Sequence, residues 1–147
     1  MSLARLLIIV ALIGGGVHLW RKHQEAQAFA AVTSPNGFLP VLMPDGAVPN
    51  KVLVFAPLNC PREGAQRARA LSQDLTNRGI SNALTDRYSL AAVSPGPDTA
   101  AAVKRTSAVM SGELPIVLVN GMGKANPSTA EVVAELAQTQ ERFLNHE

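Results

Sequence analysis

Reactive chemistry in this chain concentrates at Cys60, its single cysteine. It stands in the stretch Lys51-Val52-Leu53-Val54-Phe55-Ala56-Pro57-Leu58-Asn59-Cys60-Pro61-Arg62-Glu63. The thiolate is the nucleophilic form of cysteine. A helix N-terminus favours it, because unpaired backbone N–H groups and the helix dipole stabilise negative charge there. Pro61 suits the first helical position, so a helix is expected to open directly after the thiol. Arg62 can add positive charge beside Cys60, while Glu63, read as lying in the first turn, opposes a thiolate. With one thiol in the chain, a mixed disulfide formed at Cys60 needs an external thiol for its release. The competing reading makes Cys60 a small buried hydrophobe without chemistry.

Composition narrows the classes. One cysteine excludes an internal disulfide and a zinc–cysteine cluster. The histidines, His18, His23 and His146, lie outside the expected folded core, which argues against a Cys–His pair and most metal sites. The chain of 147 residues carries a formal charge of +2, yet from Thr33 to Glu147 the ten Lys and Arg balance ten Asp and Glu. A neutral domain has no electrostatic footprint for nucleic acid, so that partner is excluded. Arg62, Arg67 and Arg69 read as a solvated helix face rather than an anion site. Gly121-Met122-Gly123-Lys124 lacks the spacing of a phosphate loop and reads as a tight turn.

The elements that must position Cys60 follow from periodicity. Residues 3–20 are almost wholly apolar, interrupted by Arg5 and His18. The core run from Leu6 to Val17, extended by Leu19 and Trp20, approaches the roughly 17-residue minimum for spanning a bilayer. Arg21-Lys22-His23 come immediately after, and Trp20 sits where an interfacial aromatic belongs. Residues 1–23 are therefore read as a transmembrane anchor, with a cleaved signal peptide as the alternative. The short amino-terminal flank resembles that of bacterial signal anchors that export the domain behind them. The expectation is a single-pass inner-membrane protein with its domain on the periplasmic side. Residues 24–50 read as a linker with a candidate edge strand at Phe38–Met43, where Pro40 and Pro44 are tolerated.

From 51 onward the pattern is strand (Val52–Phe55), helix (Pro61 to Asn77), weak strand (Ile80–Tyr88), helix (Asp98 to Ser111), strand (Ile116–Val119), Asn-Gly turn, helix. Ala65, Ala68, Leu71 and Leu75 share one face of the first of these helices. Asp98 is the expected cap of the second, with Val103 and Met110 on its inner face. Ser128-Thr129-Ala130-Glu131 is a capping box opening the last helix. That helix has an expected buried stripe of Val132, Val133, Leu136, Ala137, Phe143 and Leu144. Such alternation implies an α/β layer structure with a βαβ unit.

Two motifs carry a resemblance to the thioredoxin fold, and within it to the glutaredoxins, over about Lys51 to Leu144. Val52-Leu53-Val54-Phe55 with Asn59-Cys60-Pro61 after it resembles a glutaredoxin's first core strand and the opening of its Cys-Pro-x-Cys site. Leu114-Pro115 before Ile116-Val117-Leu118-Val119-Asn120-Gly121 resembles the family's cis-proline, strand and Asn-Gly turn. The resemblance implies a three-layer domain at 51–147, with Cys60 as nucleophile and Pro115 as the cis-proline beside it. It also implies a substrate groove at Pro61, Arg62 and Leu114, whose backbone pairs with glutathione or a cysteine-bearing peptide. Glu63 stands where the family's second cysteine would be, which implies monothiol exchange. Ala125-Asn126 stand where its glutathione-holding glycine pair would be. The alternative is a non-catalytic thioredoxin-fold module that presents the same groove to a membrane or envelope partner.

Overall fold

A computed structural model describes residues 2–90 and 92–145, so His146 lies outside the described residues. The chain divides into two compact units at the Val32–Thr33 junction. The first is one helix, α1 (Leu3–Val32), 30 residues long with no buried residue, long and apolar enough to cross a membrane. Its apolar part, Leu3 to Trp20, rises roughly 27 Å at ~1.5 Å per residue, against a hydrocarbon core of ~30 Å. The helix runs on through the Ala-rich segment to Val32, as the sequence pattern allows.

The second unit is a mixed α/β domain of β1 (Leu39–Pro40), β2 (Val52–Phe55), α2 (Glu63–Asn77), β3 (Asn82–Thr85), α3 (Pro97–Met110), β4 (Ile116–Val119), β5 (Met122–Ala125) and α4 (Thr129–Leu144). The sheet order is β1-β5-β4-β2-β3. β2 and β3 are parallel and joined by α2, while every other pairing is antiparallel. The continuous apolar runs of β2 and β4 reflect burial on both faces. Val52, Val54, Val117 and Val119 pack with α2 and α4, while Leu53, Phe55, Ile116 and Leu118 pack with Val109 and Met110 of α3.

Several expectations about the elements are corrected. Residues 33–50, read as linker, belong to the packed unit: Ser34, Phe38 and Val41 are buried. Met122-Gly123-Lys124, read as part of a tight turn, belong to strand β5. Asn120 and Gly121 both have positive φ, as a two-residue hairpin turn demands, and Val119 pairs directly with Met122. Gly123 in that strand lies close under its neighbours: a Cβ there would lie 2.6 Å from Leu118 Cδ2 and 3.0 Å from Val41 Cγ2, so these side chains would have to shift.

Gly96, not Asp98, caps α3, and Pro97 takes the first helical position. α3 buries Thr106 and Val109 while Val103 is exposed. The reason is the neighbouring edge segment, whose backbone finds only part of its partners in the sheet. Thr106 Oγ1 accepts from Leu42 N at 2.9 Å, and Arg105 Nε donates to Pro40 O at 2.8 Å.

α4 has the capping box, with Ser128 and Glu131 bonded reciprocally. Its buried side is Val132, Glu135, Leu136 and Thr139, with Val133 partly buried, whereas Ala137, Phe143 and Leu144 are exposed. Glu135, wholly buried, accepts at Oε2 from Ser34 Oγ (2.7 Å) and Asn36 Nδ2 (2.9 Å). The residues just after α1 are thereby tied to the last helix of the domain.

Candidate functional site

Cys60 stands on the loop that leaves β2. Ala56 N donates to Thr85 O at 3.1 Å, which ends the β2–β3 pairing and releases the chain. Pro57 and the exposed Leu58 and Asn59 carry it to Cys60, which is half-buried and packs on the core face shared by α2 and α4. Two α2 side chains hold this loop from below. Arg69 donates from Nη1 to Leu58 O (3.3 Å) and from Nη2 to Cys60 O (3.2 Å), and Gln66 Nε2 donates to Pro61 O at 2.7 Å.

The helix opens later than its sequence suggests. α2 starts at Glu63, with Arg62 in extended geometry as its N-cap and without a side-chain cap bond, so Pro61 precedes the helix. With Arg62 extended, the Pro61 carbonyl takes its hydrogen bond from the Gln66 side chain rather than from the helix ladder. Cys60 thus lies before the capping residue, and the helix-terminal field, which falls off within a turn, acts first on the residues after it. Glu63, at the first helical position, is mostly exposed and pairs with Arg67 at 2.8 Å. Its charge is therefore met on its own helix.

Opposite Cys60 is the segment entering β4. The Leu114–Pro115 peptide is cis, the geometry the resemblance implies. Arg67 ties α2 to this segment, donating from Nη2 to Leu114 O and to Glu113 Oε1, both at 2.9 Å. Gly64 permits the approach: a Cβ there would lie 2.9 Å from Leu114 Cβ. α2 can bring its first turn against Leu114 only because that position lacks a side chain.

Between the two segments opens a cleft of about 600 Å³, lined by residues of the Phe55–Cys60 stretch with Asp86, Tyr88, Met110, Leu114 and Ile116. Cys60 and Leu114 meet in it. Pro61 and Cys60 share a second recess with Leu58, Asn59 and Arg69. Pro115 is fully buried and lines a separate recess with Arg67, Asn126 and Ser128. Arg62 is exposed and lines neither opening around Cys60. Of the sequence-derived site, then, Cys60 and Leu114 come together in the main cleft, while Pro61, Pro115 and Arg62 stand outside it.

Sequence reasoning missed the other contributors. Tyr88 forms a wall, its ring edge-on to Phe55 with centroids 5.9 Å apart and its hydroxyl donating to Leu42 O at 2.9 Å. Burial pushes the Tyr88 phenol above its ordinary value. Asp86 and Met110 reach the site from the end of β3 and the end of α3, which no local spacing reveals. Arg67 had a signal, its i+4 relation to Glu63; Arg69 had none beyond its place on the helix.

Among the described residues no group of three or more His, Cys, Asp or Glu side chains is placed to hold a metal ion. Both described histidines lie in α1, where His23 bonds Gln27 at 2.9 Å. No protein-family model, curated protein or solved structure matches the chain.

Proposed function

We propose that the chain is a membrane-tethered protein of thioredoxin-like fold that carries out monothiol thiol–disulfide exchange through Cys60, in the manner of a glutaredoxin. The observation that carries this reading is the half-buried Cys60 facing an apolar cleft whose other wall is Leu114 of a cis Leu–Pro peptide. Three features support the fold assignment. The sheet has one parallel crossover pair, β2–β3; helices cover both faces; and the cis-proline opens the strand paired with the cysteine-bearing one. α1 supplies the tether, with the domain on the periplasmic side of a bacterial inner membrane.

In the exchange, the Cys60 thiolate attacks one sulfur of a disulfide R–S–S–R′. The Cys60–S–S–R bond forms as the S–S bond breaks, and R′–S⁻ leaves with the electron pair. An external thiolate R″–S⁻ then attacks the substrate sulfur of the mixed disulfide, so that R–S–S–R″ forms as the bond to Cys60 breaks and the Cys60 thiolate leaves. This external thiol is the reductant the cycle requires. The Leu114 backbone aligns the substrate, sharing its carbonyl with Arg67. Arg69 and Gln66 hold the loop that presents the thiol. Pro115 shapes the floor from behind rather than touching the substrate.

The test is reaction of the purified full chain with a neutral small disulfide, read out by intact mass. Mixed disulfide is expected at Cys60, forming faster at neutral pH than with a free thiol, and absent in Cys60→Ser. A sulfur that reacts more slowly than free thiol overturns the reading.

The apolar lining of the cleft favours one other reading, a non-catalytic module that docks a partner there. It predicts that Cys60→Ser is silent in vivo while a charge introduced at Leu114 abolishes partner capture.

A further inference from the structure

The thiol-exchange reading leaves the substrate class open, and the resemblance implies glutathione. Each glutathionyl group carries one more carboxylate than ammonium, so a site for it needs cations facing the bound molecule. Among the described residues lining the Cys60 cleft, the charged side chain is an acid, Asp86. Its neighbour Arg87, 95% exposed and not part of the lining, pairs with it at the long distance of 4.0 Å, and the Asp86 side chain stays 48% exposed. Arg69 lines the second recess and not this cleft, with both Nη atoms on backbone carbonyls. The Tyr88 hydroxyl already donates to Leu42 O. The rest of the lining is mainly Phe55, Leu58, Met110, Leu114 and Ile116. A carboxylate brought here meets a like charge over an apolar floor, which is unfavourable, whereas an ammonium or guanidinium meets its complement.

We infer that this cleft does not fit glutathione and instead takes a peptide disulfide whose cysteine is flanked by an apolar side chain and a Lys or Arg. Asp86 faces the cation, and Met110 and Leu114 take the apolar group. Methionine, unbranched and polarizable, adapts to varied side chains. The inference rests on the thiol-exchange reading, and its test separates the two. The full chain in neutral detergent reacts with cystamine, hydroxyethyl disulfide and oxidised glutathione. Each rate of mixed-disulfide formation at Cys60 is divided by that of a small free thiol with the same disulfide.

Cystamine is expected to exceed oxidised glutathione by about tenfold at low salt, with hydroxyethyl disulfide between them. The ratio should fall as salt is added. Asp86→Asn is expected to bring the cystamine-to-glutathione ratio within about twofold of unity, as the loss of one facing charge implies. Equal or faster reaction with oxidised glutathione overturns the inference and leaves thiol exchange standing. A ratio unchanged in Asp86→Asn removes Asp86 as its cause and overturns the inference too. No reaction at Cys60 with any of the three overturns both.

Discussion

At the scale of single residues, contacts made by α2 govern the candidate site. Gly64 is the clearest case, because a methyl group there would press on Leu114 Cβ at 2.9 Å. Gly64→Ala gains helix propensity of up to ~1 kcal/mol. Overpacking against a rigid neighbour costs about 1–3 kcal/mol. A net loss of about 1 kcal/mol is therefore expected in urea unfolding, with slower modification of Cys60 as α2 and Leu114 are pushed apart.

Glu135 is a second case. It is wholly buried, and replacing it by Ala removes the acceptor for Ser34 and Asn36 and leaves a cavity. A loss of about 3 kcal/mol is expected from the orphaned donors and the void. Little change at that position in an unfolding titration would show that the segment after α1 is not anchored there. Neither residue stands out in the sequence: Gly64 reads as a helix residue of poor propensity, and Glu135 as a solvent-facing charge.

At the scale of elements, helix ends and the sheet edge carry the testable consequences. The capping box of α4 is legible from Ser128 and Glu131 and is formed. Ser128→Ala is expected to cost about 1 kcal/mol in chemical denaturation. Glu131 is held below its ordinary 4.5, first by the hydrogen bond from Lys124 and then by that from the Ser128 backbone. A depressed carboxylate contributes stability that is present above its unfolded value and lost as pH falls through the folded one. Stability should therefore drop as pH falls below about 4.5, and Glu131→Gln should flatten that acid limb in denaturation midpoints measured from neutral pH downward.

The edge is different. Its prolines point to a strand across Phe38–Met43, yet only Leu39–Pro40 pair with β5. Beyond them Val41 N donates to Gly121 O, Leu42 N to Thr106 Oγ1 of α3, and the Tyr88 hydroxyl to Leu42 O, while Arg105 of α3 donates to Pro40 O. Thr106→Val keeps the shape and removes the acceptor for Leu42 N. It is expected to cost about 1 kcal/mol by thermal or chemical unfolding, a part-buried donor having lost its partner.

At the scale of the whole molecule, the chain joins an apolar helix to a compact α/β unit without a long spacer. α1 ends at Val32, and Ser34 is already buried within the second unit. If α1 spans a bilayer, wild-type protein should resist carbonate extraction from membranes. Leu12→Arg, near the middle of the apolar stretch, carries an insertion cost of roughly 3 kcal/mol and should shift protein into the soluble fraction. Unchanged partitioning of that variant would argue against a spanning α1. A reporter at the C-terminus then places the domain, and with it Cys60, on one side of the membrane.

The sequence by itself determined the features that short-range physics encodes. The apolar length of α1, the strands at Val52–Phe55 and Ile116–Val119, the inner face of α2 and the Ser128 cap all come from periodicity and local hydrogen bonding. The position of Cys60 after a core strand does as well. Tertiary structure decided the rest, because the deciding partners are far apart in the chain. β5 is flanked on its outer side by β1, whose Leu39–Pro40 come from roughly eighty residues away, and Thr106 is inside because an edge segment needs its hydroxyl. Glu135 is inside because Ser34 and Asn36 arrive from roughly a hundred residues away. The same holds for the surroundings of Cys60. Asp86, Tyr88, Met110 and Leu114 reach it from the ends of different elements, and only the packing of α3 and the β2–β3–β4 sheet brings them to one cleft.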